Sequence, residues 1–209
     1  MAKGIFITLE GIEGVGKTTQ VDYLGEALRQ RGHTVTITRE PGGTSVGESI
    51  RNILLNSLDL DISDETELLL IFAARAQHIA RVIEPALARG EVVICDRFTD
   101  ASFAYQGGGR GIEDEKIQLL KDWVQKSLSP DLTLLLDAPV EVGMERADKR
   151  GELDRFESED LRFFESIRQK YLELAREETD RIVVIDASSD MENVQDQVDR
   201  VLSARNYFL

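Results

Sequence analysis

The chain has 209 residues, which is long enough for one domain with a substantial hydrophobic core. It carries 39 acidic against 25 basic side chains, giving a formal net charge of −14. General binding to nucleic acid depends on many Lys and Arg side chains meeting phosphates, so this charge argues against that class. The single cysteine, Cys95, excludes an internal disulfide framework and a zinc site built on a cysteine cluster.

Targeting and membrane signals are missing from the sequence as given. The longest unbroken apolar run, Leu68 to Ala74, is far shorter than the roughly 20 residues of a membrane-spanning helix. The first residues lead into a short apolar segment without the cleavage site of a secretory signal. We therefore expect a cytoplasmic protein in a reducing compartment, with no membrane partner and no nucleic-acid partner.

Strand-like and helix-like segments alternate along the chain, which is the pattern of an α/β fold with a mainly parallel sheet. The predicted strands are short and rich in Ile, Val and Leu, as strands covered on both faces are. No linker-like composition and no internal repeat divides the sequence, so we expect a single domain over residues 1–209. In chain order the predicted elements are strand Ile5–Glu10, helix Lys17–Gln30, strand Thr34–Arg39, helix Val46–Asn56, helix Glu65–Arg89, strand Val92–Cys95, helix Glu113–Ser127, strand Leu132–Asp137, helix Val140–Arg150, helix Ser158–Glu178, strand Ile182–Ile185 and helix Met191–Ala204.

Two predicted loops are unusually rich in glycine. Glu40–Thr44 follows the second strand, and Gln106–Gly111 comes after the third. Glycine runs of this kind are most often plain flexible turns. These two, however, follow the carboxyl ends of parallel strands, where open α/β sheets bind their ligands.

The connection between the first strand and the first helix carries a complete G-x-x-x-x-G-K-[ST] motif. Its residues are Gly11, Ile12, Glu13, Gly14, Val15, Gly16, Lys17 and Thr18. In this pattern the glycines turn backbone N–H groups around phosphate oxygens, Lys17 reaches the β- and γ-phosphates and Thr18 holds Mg²⁺. A purely structural glycine turn gets little weight, because the motif both follows a predicted strand and opens a predicted helix. The sequence therefore predicts binding of a nucleoside triphosphate with Mg²⁺.

An acidic and a basic residue stand together at the end of the third predicted strand. Asp96 occupies the place where the Walker-B carboxylate of a P-loop protein would hold Mg²⁺, directly or through water. Arg97 beside it suits a second phosphate, one that belongs to an acceptor. A local ion pair between the two is the alternative, and the neighbouring phosphate-binding motif favours the functional interpretation.

Together these segments resemble the bacterial thymidylate kinases, a family of P-loop nucleoside-monophosphate kinases. The resemblance spans nearly the whole chain: the P-loop, Arg39–Thr44, Phe72–Arg75, Asp96–Phe98 with Ser102, Tyr105 and Gln106, and Arg146–Arg155. It implies a three-layer P-loop NTPase fold, in which a five-stranded parallel sheet is flanked by helices, with a small arginine-bearing lid at about residues 146–156. It also implies transfer of the γ-phosphoryl group of ATP to dTMP, giving dTDP for dTTP synthesis.

The resemblance implies a base-binding role for four residues. Phe72 would stack on the thymine ring, and Arg75 would hydrogen-bond a base carbonyl. Ser102 and Gln106 would lie along the base edge, with Ser102 near N3. Core packing alone would also explain Phe72, which lies inside an apolar run, and a buried carboxylate would serve Arg75 equally well.

Sugar and phosphate roles are implied in the same way. Tyr105 would crowd the 2′ position and so select deoxyribose, although simple loop packing would also account for it. Arg97 would hold the dTMP phosphate, with Arg39 close by. Glu13 would approach the 3′-hydroxyl or the metal.

The predicted lid is rich in arginine. A solvated charged helix would explain Arg146 and Arg150, which share one helix face. The resemblance instead implies that the lid supplies an arginine which other members of the family carry in the P-loop, where this chain has Gly14. Arg150 and Arg155 are then the expected catalytic arginines, and Arg146 is expected under the adenine.

Three further expectations complete the prediction. Apolar helix faces exceed what the sheet can cover, and the resemblance implies a homodimer through the long third helix. His33 and His78 are interpreted as structural. Two other functions stay open: another nucleoside-monophosphate or deoxynucleoside kinase, and a P-loop ATPase that controls assembly with a partner protein.

Overall fold

The computed structural model describes residues 4–56, 60–148, 155–156 and 159–205. Five parallel strands form one sheet in the order β2-β3-β1-β4-β5. The three central strands are buried along almost their whole length, which explains their runs of Ile, Val and Leu. The predicted α/β fold with a five-stranded parallel sheet is confirmed. The strands are β1 (Ile5–Glu10), β2 (Val35–Arg39), β3 (Val92–Asp96), β4 (Leu132–Asp137) and β5 (Ile182–Asp186).

Helices cover both faces of the sheet. Side chains cap the first turn of several of them: Ser63 accepts from the backbone N–H of Thr66, Asp160 from that of Phe163, and Asp190 from that of Asn193. No helix among the described residues has the length and apolar character that crossing a bilayer requires. The α-helices are α1 (Lys17–Gln30), α2 (Ser45–Asn56), α3 (Asp64–His78), α4 (Glu84–Ala88), α5 (Thr99–Ser102), α6 (Asp114–Gln125), α7 (Val140–Asp148), α8 (Leu161–Glu177) and α9 (Met191–Ala204).

The predicted third helix is not uniform. A π-helical segment, Ile79–Ile83, separates α3 from α4. This widened turn stands immediately after His78, at the end of the helix that carries the predicted base-binding residues. Such π-helical turns are frequent next to functional sites.

The glycine-rich segment after the third strand is helical, so the prediction of a loop at Gln106–Gly111 was wrong for most of its length. A π-helical segment, Phe103–Gly109, continues α5. Its glycines serve close packing, because a Cβ at Gly109 would lie 2.5 Å from the ring of Phe163 on α8. The segment is therefore held firmly against α8.

Candidate active site

The P-loop lies between β1 and α1, at the carboxyl edge of the sheet. Its apolar members Ile12 and Val15 are buried and anchor it in the core. Nζ of Lys17 donates to the carbonyls of Gly11 at 3.0 Å and Ile12 at 2.5 Å. Burial lowers the pKa of Lys17 to about 8, with a further contribution from the charge of Arg97. The lysine is thus folded back onto its own loop.

Gly14 is required by its surroundings. It has a φ of 71°, and a Cβ at this position would lie 1.8 Å from the carbonyl oxygen of Gly143 on α7. No L side chain fits there without displacing the helix. The P-loop and α7 are therefore packed backbone to backbone.

A cavity of about 860 Å³ opens over the P-loop. Lys17 and Thr18 line it, together with Asp96 at the end of β3. Oδ1 of Asp96 is buried and has no hydrogen-bond partner among the described residues, which is uncommon for a polar atom in a folded protein. Nη1 of Arg97 lies 3.9 Å from this oxygen, a long ion pair. A hydroxyl and a carboxylate oxygen without a hydrogen bond, in one cavity, fit the oxygen ligands that Mg²⁺ prefers. The described part of the chain contains no cluster of three His, Cys, Asp or Glu side chains that could hold a metal ion, so phosphate oxygens would have to complete its coordination.

Arg97 stands between this cavity and a second one. Its φ of 67° lies in the left-handed region, which is rare for a side chain of this size. Nη2 donates to Oε1 of Glu13 at 2.7 Å and to the hydroxyl of Tyr105 at 2.8 Å. Non-glycine residues in this region concentrate at functional sites, and Arg97 lines both cavities.

The second cavity has a volume of about 590 Å³ and is more apolar. We call the first the nucleotide cavity and the second the acceptor cavity. They share Glu13, Arg51 and Arg97, so an anion held there would face both. The acceptor cavity is otherwise lined by Glu40, Pro41, Leu54, Leu55, Ile71, Arg75, Phe98, Ala101, Ser102, Tyr105, Gln106 and Phe156.

Arg75 is the most buried cation of the acceptor cavity, with 1% of its surface exposed. Nε donates to Oε2 of Glu40 at 2.6 Å, Nη1 to Oγ of Ser102 at 3.1 Å, and Nη2 to the carbonyl of Phe98 at 3.0 Å. The buried carboxylate considered from the sequence is therefore present as Glu40. Although it is paired with this carboxylate, Arg75 still lines the acceptor cavity.

Gln106 is fixed by a second buried carboxylate. Its Nε2 donates to Oε1 of Glu67 at 2.9 Å, and Glu67 is fully buried. Because a carboxylate only accepts hydrogen bonds, this contact fixes which end of the Gln106 amide faces α3. Glu67 also pairs with Arg110 and Arg155.

Tyr105 lines the acceptor cavity beside Glu13, a residue that both cavities share. Its hydroxyl donates to the carboxylate of Glu13, whose two oxygens lie 2.8 and 2.7 Å away. Burial raises the pKa of Tyr105 well above its ordinary value, so the hydroxyl keeps its proton. Its ring packs edge-on against Phe156, with 5.9 Å between centroids.

Two predicted acceptor residues lie elsewhere. Phe72 belongs to the main hydrophobic core, with its ring 4.6 Å below the guanidinium carbon of Arg75, and the preceding residue, Ile71, lines the cavity instead. Arg39 has a half-exposed side chain paired with Glu48 at 2.9 Å, outside the described lining of both cavities.

Arg51 is a site residue that the sequence reasoning missed. It lies on α2, and its Nη1 donates to the carbonyl of Pro41 at 3.0 Å. Burial lowers the pKa of Arg51, and the charges of Arg39 and Arg97 lower it further, so an anion placed beside it would be favoured. The available signal was its position on the helix that follows the glycine-rich Glu40–Thr44 segment.

Two of the predicted lid arginines lie near different cavities. Arg146 lines the nucleotide cavity and donates from Nη1 to the carbonyl of Ala187 at 2.9 Å. Arg155 pairs with Glu67 and donates from Nε to the carbonyl of Leu54 at 2.8 Å, beside the acceptor cavity. Arg150 lies outside the described residues.

Comparison with known proteins identifies the family. The family model described as thymidylate kinase matches residues 9–198. This chain belongs to the thymidylate kinase family. Proteins named thymidylate kinase from Pseudomonas putida strain F1 and strain W619 are 56% and 57% identical to it, over 95% of this chain and 95% and 96% of their own lengths. A solved thymidylate kinase from Ehrlichia chaffeensis is 36% identical, with a TM-score of 0.79 over 96% of this chain and 99% of that one.

Proposed function

We propose that this thymidylate kinase family member transfers the γ-phosphoryl group of ATP to dTMP, giving dTDP. One observation carries the proposal: the P-loop cavity and a second, more apolar cavity meet at Arg97, Arg51 and Glu13. Two phosphates approaching from the two sides would face each other at that point. In-line phosphoryl transfer needs this placement.

The chemistry rests on positioning and on charge neutralisation. The acceptor phosphate is already an anion, so no general base is needed to create the nucleophile. Lys17 would reach the donor phosphates, while Arg97 and Arg51 would hold the acceptor phosphate. Bound Mg²⁺, held by Thr18 and Asp96, would add positive charge on the donor side.

Glu13 belongs to the acceptor side of this arrangement. Its carboxylate is engaged by Arg97 and by Tyr105. That engagement supports a contact with the sugar 3′-hydroxyl more than a role as a metal ligand. Tyr105, held by the same carboxylate, would crowd the 2′ position.

The base would bind where Arg75, Ser102 and Gln106 line the acceptor cavity. Arg75 would donate to a base carbonyl, and the other two would lie along the base edge. Ile71 would contact the ring face in the place expected for Phe72.

The lid is part of the same proposal. A single domain with a lid at about residues 146–156 would close over the donor, excluding water from the transfer. Arg150 would stabilise the transferring phosphoryl group, and Arg146 would lie under the adenine. Arg155, paired with Glu67 in this structure, would have to leave that carboxylate to take part in catalysis.

A homodimer and a cytoplasmic location complete the proposal. Leu69 on α3 and Leu119 and Trp123 on α6 are 56%, 71% and 76% exposed. Since α3 and α6 pack side by side, these side chains form an apolar surface that a second copy would cover. Cys95 is buried and free of disulfide bonds, as suits a reducing compartment.

The decisive test is an acceptor panel. ADP release from Mg-ATP is measured with dTMP, dUMP, UMP, CMP, GMP and AMP offered separately. Turnover with dTMP well above the others supports the proposal. Faster turnover with another monophosphate would overturn dTMP as the acceptor. ADP release at the same rate with and without any monophosphate would overturn the kinase assignment.

A further inference from the structure

Behind Arg75 lies a buried chain of polar side chains that the proposed reaction has not used. His78, at the end of α3, is fully buried, and its Nδ1 lies 3.0 Å from Oε1 of Glu40. Its Nε2 lies 2.6 Å from the hydroxyl oxygen of Thr38 on β2. The other oxygen of Glu40 accepts from Nε of Arg75 at 2.6 Å. One continuous path of hydrogen bonds therefore runs from β2 to the wall of the acceptor cavity.

The chemistry of Glu40 sets the direction of these hydrogen bonds. An ionised carboxylate only accepts, so Nδ1 of His78 must carry the proton in its contact with Glu40. In a neutral imidazole Nε2 is then the acceptor, and the hydroxyl of Thr38 is its donor. Glu40 therefore sets the histidine tautomer, Thr38 holds the ring through Nε2, and the histidine holds one carboxylate oxygen. The second oxygen is left for Arg75.

This arrangement determines which donors Arg75 offers to a ligand. A guanidinium has five N–H groups, and among the described residues three are used, by Glu40, Ser102 and the carbonyl of Phe98. One N–H on each Nη remains, on a side chain that lines the cavity. The carboxylate of Glu40 makes the shortest of the three contacts that hold the plane of this donor pair.

We propose that Thr38 and His78 are positioning residues, which act through Glu40 to orient Arg75 toward the carbonyl oxygen of the acceptor base. The inference rests on the proposed function. It assigns part of the base selectivity to side chains that touch no substrate. A base with a carbonyl in that position is accepted by the oriented donors, whereas one with an amino group leaves them unpaired.

The test compares two threonines of the same strand. Thr38→Val removes the hydroxyl while keeping the side-chain shape. Thr36→Val is the matched control, because the Thr36 hydroxyl donates to Glu91 and has no contact with His78. The measurements are kcat and KM with dTMP and with dCMP, and KM for ATP.

We expect Thr38→Val to lower the dTMP-to-dCMP ratio of kcat/KM about five- to tenfold, the usual effect of one buried hydrogen bond. The change should lie mainly in KM for dTMP, with KM for ATP unchanged. Thr38→Ser, which restores the donor, should restore the ratio. Equal ratios in the Thr38→Val and Thr36→Val variants would overturn the proposal.

A double-mutant cycle tests the route of the effect. If Thr38 acts through Arg75, adding Thr38→Val to Arg75→Lys should lower the ratio no further. A full additional loss in the double variant would overturn the proposal. A wild-type enzyme that does not prefer dTMP to dCMP would overturn the proposed function, and this inference with it.

Discussion

The two cavities that meet at Arg97 differ in how far their polar groups are satisfied before a ligand binds. In the acceptor cavity the side chains hold one another, since Arg75 is bonded to Glu40 and Ser102. In the nucleotide cavity Lys17 donates to carbonyls of its own loop. Oδ1 of Asp96 there has no hydrogen-bond partner among the described residues, and its nearest cation, Nη1 of Arg97, lies 3.9 Å away.

This difference teaches where selectivity and affinity come from in the proposed reaction. A prearranged set of buried donors and acceptors rejects a wrong ligand, because the mismatch leaves buried groups unpaired. A cavity whose lysine donates to neutral carbonyls rather than to an anion instead gains much of its stabilisation from the charged ligand. We therefore expect substitutions in the acceptor cavity to change which substrate is used, and substitutions in the nucleotide cavity to change whether transfer occurs.

The largest effect should come from Lys17→Ala. We expect kcat to fall about 10²- to 10³-fold, as for other losses of a charge that stabilises the transition state, while the chain still folds. Circular dichroism and steady-state ADP release check the two parts. Lys116→Ala is the control, since that lysine pairs with Glu113 on the surface. An unchanged rate for Lys17→Ala would contradict the P-loop assignment.

The structure and the sequence predict different arginines near the acceptor phosphate besides Arg97: the structure predicts Arg51, and the sequence predicts Arg39. Arg51→Gln should lower kcat/KM for dTMP roughly 10- to 100-fold, because it removes a charged contact to the acceptor phosphate. Arg39→Gln should change it less than twofold, since that side chain lies outside the cavities. Initial rates at varied dTMP measure both. A larger effect at Arg39 would reverse the assignment.

The pH dependence of nucleotide binding should follow Lys17. Its pKa of about 8 in the free protein must rise when phosphates bind, so binding takes up a proton above pH 8. We expect the Kd for ATP to increase by up to about fivefold between pH 8 and pH 9. Calorimetry in buffers of different ionisation enthalpy measures the proton uptake. Proton release, or a Kd that is constant in this range, would disagree with the prediction.

The smallest effects distinguish Ile71 from its neighbour. Ile71→Ala should raise KM for dTMP about fivefold through lost ring contact, at the lower end of what buried apolar area contributes. Phe72→Leu should lower the free energy of unfolding by about 1–2 kcal/mol and leave KM within twofold. Urea unfolding and dTMP kinetics make the comparison. A raised KM for dTMP in Phe72→Leu with an unchanged free energy of unfolding would show that Phe72 contacts the acceptor.

Sequence reasoning worked best where one local pattern requires one geometry. The P-loop glycines, Lys17 and the acid at the end of β3 were predicted from spacing alone, and the structure brings them into one cavity. Strand positions followed from short runs of Ile, Val and Leu. In each case the cause lies within a few residues of the effect.

Predictions that depended on distant contacts were weaker. The helical state of the segment before Gly109 depends on contact with Phe163, which no local pattern reveals. The choice between Ile71 and Phe72 depends on a rotation of about 100° around α3, and both are apolar. Arg51 was missed because only the fold brings α2 beside Arg97.

The contact between Gly14 and Gly143 limits how this chain could change. The substitution Gly14→Arg would place a Cβ 1.8 Å from the carbonyl oxygen of Gly143. Placing a charged side chain in this part of the P-loop would therefore require α7 to shift as well. Positions 14 and 143 are therefore constrained as a pair, and a side chain at the first is compatible with the fold only together with a different placement of the second.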